Sequence, residues 1–128
     1  MLVKDIMIRD VASIAPTATI REAMREMRRR DVKSLVVEKV HDTDAYGLIT
    51  YTNILRTIVA EEGDIDLINV YDICIRPIIS VPEMMEVKFV ARLMVQLGIR
   101  RVAVLHGNDL VGLISMNDII SAIIELAD

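Results

Sequence analysis

An internal repeat constrains this chain more than any other feature. Displaced by 67 positions, Val3–Val37 lies on Val70–Val104 without a gap. Identities fall at Val3/Val70, Asp5/Asp72, Ile6/Ile73, Ile8/Ile75, Arg9/Arg76, Ser13/Ser80, Arg25/Arg92, Met27/Met94 and Val37/Val104. Further on the displacement becomes 65, and Gly47-Leu48-Ile49-Thr50 lies on Gly112-Leu113-Ile114-Ser115. The change falls where HDTD faces HGND, a turn-forming stretch, and length differences between repeats belong in hairpin loops. The chain is a duplicated unit of about 60 residues, divided as 1–63 and 64–128.

Both copies carry the same pattern. A short extended piece (Ala12–Ala15, Ile78–Val81) precedes an amphipathic helix. Ile20, Ala23, Met24 and Met27 recur at helical spacing in the first copy, and Val87, Val90, Ala91 and Met94 in the second, where Gly98 supplies a stop. Two apolar, β-branched runs around a polar turn follow (SLVVEKV…YGLIT and RVAVLHGNDLVGLIS), which predicts a buried strand pair. A second helix closes each copy, Asn53–Glu62 capped by Thr52 and stopped by Gly63, and Asp118–Ala127 capped by Asn117. The order is β-α-β-β-α, twice. One copy hardly buries enough surface alone, so two packed sheet to sheet around a pseudo-twofold axis is the expected mixed α/β architecture.

Composition narrows the function. Of 128 residues, 53% are hydrophobic and 27% charged, which excludes disorder. The net charge of −4 gives no global attraction to nucleic acid or anionic membranes. Aromatics amount to 3%, too few for base-stacking platforms. The lone Cys74 excludes an internal disulfide and a multi-thiolate site, and aligns with Met7 as a packed apolar position. His41 and His106 lie in turn-like sequence, and no nucleophile–base constellation accompanies them, so an enzyme is not expected. MLVKDIMIRD carries charges among its apolar residues, unlike a signal-peptide core, and no apolar run reaches the ~18 residues of a membrane span. A soluble, cytoplasmic protein is expected.

The duplicated βαββα pattern, the Val3-Lys4-Asp5-Ile6-Met7 motif and the GLIT/GLIS element with Asn or Asp three residues on resemble the CBS (cystathionine-β-synthase) domain family. The resemblance spans essentially the whole chain, as a stand-alone tandem pair, or Bateman module. It implies a regulatory sensor that binds an adenosine-containing ligand (AMP, ADP, ATP or S-adenosylmethionine) in clefts between the paired units and signals to an unidentified partner protein. Carried over onto this chain, it implies that Ser115 lies near phosphate and Asp118 bonds the ribose hydroxyls, with Gly112 completing the motif. The first copy offers Gly47, Thr50 and Asn53, an amide where the pattern has a carboxylate. The backbone of Ile78–Ser80, and by repeat the region of Ser13, is implied to face adenine. Arg100 and Arg101 occupy a position where family members hold phosphate-contacting basic residues, and Lys33 stands there in the first copy.

The chemistry agrees with these roles. An ionised Asp118 can accept two hydrogen bonds from a vicinal diol, and a neutral Asn53 gives up about 1 kcal/mol of such a contact. Guanidinium suits bidentate phosphate contact better than ammonium. No cofactor is required, and Mg²⁺ would come only with ATP. The resemblance also implies a homodimer through the second helices, where Ile54, Leu55, Ile58, Val59, Ile119, Ile120, Ile123 and Ile124 exceed one buried face.

Bland alternatives exist for each residue. Asp118 can serve the helix dipole, Ser115 and Thr50 can be ordinary strand-end hydroxyls, Asn53 can simply start a helix, and Arg100-Arg101 can be solvated surface. A structural assembly module with empty clefts is the second functional reading. The third is nucleic-acid binding through residues 21–33, with Arg21, Arg25, Arg28, Arg29, Arg30 and Lys33, although Glu22 and Glu26 balance part of that face, for instance as a Glu26–Arg30 pair.

Overall fold

The computed structural model describes residues 1–127. The chain opens with a single helical turn, α1 (Val3–Ile6), followed by β1 (Ser13–Ile14), α2 (Ile20–Arg30), β2 (Ser34–Val37) and β3 (Gly47–Thr50). Next comes α3 (Tyr51–Ile54), which widens directly into a π-helical stretch at Leu55–Ala60. The second copy repeats the order as α4 (Val70–Ile73), β4 (Ser80–Pro82), α5 (Val87–Leu97), β5 (Arg101–His106), β6 (Asp109–Ser115) and α6 (Met116–Ala127). Mixed α/β with two three-stranded sheets is as the sequence predicts.

The chain forms two compact units, one of residues Ala12–Ile78 and the other of Met1–Val11 joined to the chain from Ile79 onward. The sequential repeats 1–63 and 64–128 are cut at different places from these units. In the unit Ala12–Ile78, β1 runs parallel to β2 with Ser13 opposite Val36, and β2 runs antiparallel to β3 with Ser34 opposite Thr50. Ile75 then adds a bridge to β3, exchanging both backbone hydrogen bonds with Leu48 at 2.9 and 2.8 Å. Its core gathers Ile20, Ala23 and Met27 from α2 under Leu35, Val37 and Ile49, with Val70 from α4 fully buried among them.

The other unit has the same plan. β4 is parallel to β5 with Ser80 opposite Ala103, and β5 is antiparallel to β6 with a register shift at Val104/Leu105. Ile8 bridges Leu113 as Ile75 bridges Leu48, at 2.8 and 2.9 Å. Val3 and Met7 pack into a core of Val87, Val90, Met94, Val102, Val104 and Ile114. In both units, therefore, the lead-in segment of one repeat completes the sheet and core of the other.

Local chemistry explains these elements. α2 starts on a reciprocal cap, Thr19 Oγ1 accepting the Glu22 N–H at 3.2 Å while Glu22 reaches back to the Thr19 N–H at 3.5 Å. Its first-turn amides find carbonyls in the connecting segment, Ile20 N–H on Ile68 and Arg21 N–H on Ile65, both at 3.1 Å. The matching bond at α5 runs from Val87 N–H to the Met1 carbonyl at 3.0 Å. Asp5 and Asp72, identical in the two copies, cap the short lead-in helices by accepting the N–H groups of Leu2 (2.9 Å) and Asn69 (3.1 Å). These single turns are absent from the sequence-based expectation, since four residues give no periodicity.

Four expectations change. The second helices start at Tyr51 and Met116, with Thr50 and Ser115 as caps in place of Thr52 and Asn117. Glu62, at φ 55°, takes the left-handed conformation beyond the first of them, and Gly63 fits instead against Ile68 and Thr57, where a Cβ would stand 2.6 Å from Ile68 Cδ1. Glu26 pairs with Arg29, three residues on, where a pair with Arg30 is expected. Of the apolar residues assigned to an exposed helical surface, Ile54 and Ile119 are core, Ile58 packs against the core, and Leu55, Val59, Ile120, Ile123 and Ile124 are exposed.

Candidate functional site

Each unit ends its antiparallel strand pair in a turn that carries the helix start. In the second copy Ser115 N–H donates to Asp118 Oδ2 at 2.7 Å, and Asp118 N–H donates to Ser115 Oγ at 3.2 Å. In the first, Thr50 N–H donates to Asn53 Oδ1 at 2.9 Å and Asn53 N–H to Thr50 Oγ1 at 3.3 Å. Both turns are capping boxes, so Ser/Thr with Asp/Asn three residues on satisfies orphan amides before any ligand is considered.

The two boxes differ in what they leave over. Thr50 also donates its hydroxyl to Asn53 Oδ1 at 3.0 Å, which uses that proton internally. Asn53 is 6% exposed, sunk into the core edge. Among the described residues Ser115 Oγ only accepts, which leaves its proton to donate outward, and Asp118 is half-buried with Oδ1 outside the cap. The second turn therefore retains one hydroxyl donor and one carboxylate oxygen for a ligand.

The basic residues stand where the turn begins. Met116 N–H donates to the Arg100 carbonyl at 2.8 Å, and Arg101 lies opposite Ser115 across the strand pair. The same contacts recur in the first copy, Tyr51 N–H on the Lys33 carbonyl at 3.2 Å and Ser34 opposite Thr50. Arg100, Arg101, Ser115, Met116 and Asn117 line a cavity of about 240 Å³. Three residues inferred from sequence are thus brought together within one unit, and Asp118 buttresses them through Ser115.

The remaining candidates are held otherwise. Gly112 lies beneath the lead-in segment, where a Cβ would come within 2.6 Å of Met7 Sδ and 3.1 Å of the Ile8 carbonyl. Gly47 meets Ile75 and Cys74 in the same way. The motif glycine thus admits the crossing segment. Ile78 is buried and its N–H donates to the Tyr46 carbonyl at 2.8 Å, while the Ile79 carbonyl accepts from Ala103 at 2.9 Å. Those two backbone groups are engaged, and Ser80 alone of this stretch is an exposed hydroxyl. Ser13 donates to Glu38 at 3.4 Å.

A larger hollow of about 470 Å³ in the unit Ala12–Ile78, lined in part by Thr17, His41, Asp44, Tyr71 and Asp72, was not anticipated from sequence. Nearby, the Arg76 guanidinium pairs with Asp44 and lies 4.5 Å from the Tyr71 ring centre. At the basic helix, Arg21 forms a two-point pair with Asp66 (2.6 and 2.9 Å), which holds that carboxyl below the usual range. Arg29 does the same to Glu26. Part of the basic face is thereby neutralised. Burial pushes the Cys74 thiol up, as befits a packed residue. Among the described residues, no group of three or more His, Cys, Asp or Glu is placed to hold a metal ion, and no helix is long and apolar enough to cross a membrane.

The chain is thus a duplicated α/β unit in which each strand-to-helix turn sets a capping hydroxyl beside a basic residue. The chain belongs to the CBS domain family, which it matches over residues 3–60 and 70–125. It is 34% identical over 113 residues to an uncharacterized protein of Methanopyrus kandleri, across 88% of this chain and 57% of that protein, so it spans little more than half that relative's length. It is 30% identical over 118 residues to the CBS domain-containing protein YhcV of Bacillus subtilis, across 91% and 81% of the two chains. Among solved structures it resembles a hexameric CBS-CP12 protein from bloom-forming cyanobacteria, with TM-score 0.87 and 35% identity over 94% of this chain and 66% of that one. It also resembles the CBS domain protein PAE2072 of Pyrobaculum aerophilum, solved in complex with AMP, with TM-score 0.84 and 27% identity over 99% and 98%.

Proposed function

We propose that the chain is a regulatory module, without catalysis of its own, that binds an adenosine-containing ligand chiefly through its second copy. The carrying observation is the cavity that collects Arg100, Arg101 and Ser115 beside the Asp118-capped start of α6. The AMP held by the Pyrobaculum relative supports the ligand class. Arg100, Arg101 and the Ser115 hydroxyl take phosphate, and the uncapped oxygen of Asp118 accepts from the ribose. Thr50, Asn53 and Lys33 form a weaker counterpart, because their hydroxyl proton and amide oxygen are already spent on each other. Ligand binding regulates a partner protein in the cytoplasm, to the extent of its differential affinity for the module's two states. Leu55, Val59, Ile120, Ile123 and Ile124 serve a homodimer through the second helices.

The test is a thermal-shift titration with AMP, ADP, ATP, S-adenosylmethionine and GTP, run in parallel on Asp118→Asn. The amide keeps the cap, as Asn53 does in the sister turn, so the variant folds while losing the ribose acceptor's charge. A ligand at ~100 times its Kd stabilises by about 2.7 kcal/mol. The expected result is a melting shift with adenosine ligands that shrinks in Asp118→Asn by about 1 kcal/mol. No shift with any ligand, alongside retained self-association in sedimentation, would establish the assembly module instead.

A further inference from the structure

We infer that the second-copy cavity selects its ligand by charge, preferring di- and triphosphates to monophosphate and rejecting the cationic S-adenosylmethionine. This inference rests on the adenosine-binding reading and names the ligand class within it. The lining contains two guanidinium-bearing residues and a serine, and no carboxylate. Neither guanidinium makes a side-chain hydrogen bond or ion pair among the described residues, in contrast to Arg21, Arg29 and Arg76 elsewhere in the chain. The free hydroxyl proton of Ser115 adds a donor. Asp118, outside that lining, commits Oδ2 to its cap through the 2.7 Å bond from Ser115 N–H, and its other oxygen is the one assigned to the ribose.

Such a cavity carries two guanidinium charges with no carboxylate in its lining to offset them, and it offers a sulfonium or ammonium group only neutral acceptors such as the Asn117 amide. Each added phosphate brings negative charge and acceptor oxygens to planar forks suited to two-point contact. Because both arginines retain access to water, the gain per phosphate is modest and sensitive to salt. The first copy offers one Lys33 ammonium at the equivalent place, so the same gradient is shallower there.

Calorimetric titration in EDTA of the full chain with adenosine, AMP, ADP, ATP and S-adenosylmethionine tests this, with Arg100→Gln/Arg101→Gln alongside. Arg100→Gln alone provides a second variant, since an exposed side chain leaves the fold intact. Affinity is expected to rise about threefold to tenfold per phosphate, with S-adenosylmethionine below AMP, and the double variant is expected to compress the ATP-to-adenosine ratio toward one. Equal affinities across the series, S-adenosylmethionine as tight as ATP, or an unchanged ratio in the variants would each overturn charge selection while leaving an adenosine site standing. Absence of binding by every compound, adenosine included, would remove the site itself.

Discussion

Asp31 and Gly98 end equivalent helices in the same left-handed backbone, at φ 54° and 66°. Only glycine adopts it without steric cost, and a Cβ at Gly98 would meet nothing within 4 Å. The penalty there is thus purely conformational. Gly98→Ala is expected to lose about 1 kcal/mol in urea denaturation, and Asp31→Gly to gain a fraction of that. A neutral Gly98→Ala would show that the turn relaxes to another geometry. Glycine was a legible stop signal at Gly98 and a misleading one at Gly63, because a glycine is also what close packing demands. Sequence alone does not distinguish a residue lacking a Cβ for its torsion from one lacking it for its neighbours.

At the scale of elements, the segment crossing beneath β3 or β6 depends on such a neighbour. Gly112→Ala pushes a methyl into Met7, whose thioether can yield, and against the Ile8 carbonyl, which cannot. A loss of about 1–3 kcal/mol is expected, with faster amide exchange at Ile8 and Leu113 as the bridge between them loosens. Full protection at those two amides would contradict the packing account of this glycine. The same scale explains what was legible at the site. Ser115 with Asp118, and Thr50 with Asn53, carry the spacing of a capping box in plain view. By the family resemblance that spacing points to ligand contact, and Thr52 and Asn117, both acceptable cap residues, compete for the cap in sequence. The difference between the turns lies in where one hydroxyl proton goes, which no residue pattern records.

For the whole molecule, repetition was legible because identities recur at constant displacement, whereas the exchange of lead-in segments was not. Ile8 meets Leu113, and nothing local to either residue announces a pairing across most of the chain. We propose that the folding unit is accordingly Ala12–Ile78 and not the first repeat. A fragment of residues 12–78 contains its entire core and is expected to melt cooperatively. A fragment of residues 1–63 lacks Ile65, Ile68 and Val70 and is expected to melt without a transition. Cooperative melting of the shorter fragment would refute this unit.

The exchange also sets an order of events during synthesis. One unit is contiguous and can close while the ribosome is still making the rest. The segment Met1–Val11 is translated before its partners, yet its bridge at Leu113 and its core neighbours Val102, Val104 and Ile114 emerge about a hundred residues later. Val3, Ile6, Met7 and Ile8 are interleaved with charges at Lys4, Asp5, Arg9 and Asp10, a pattern that protects an apolar segment from aggregation before its partners are made. The segment Met1–Val11 can take its place only once residues about a hundred positions further on have been made.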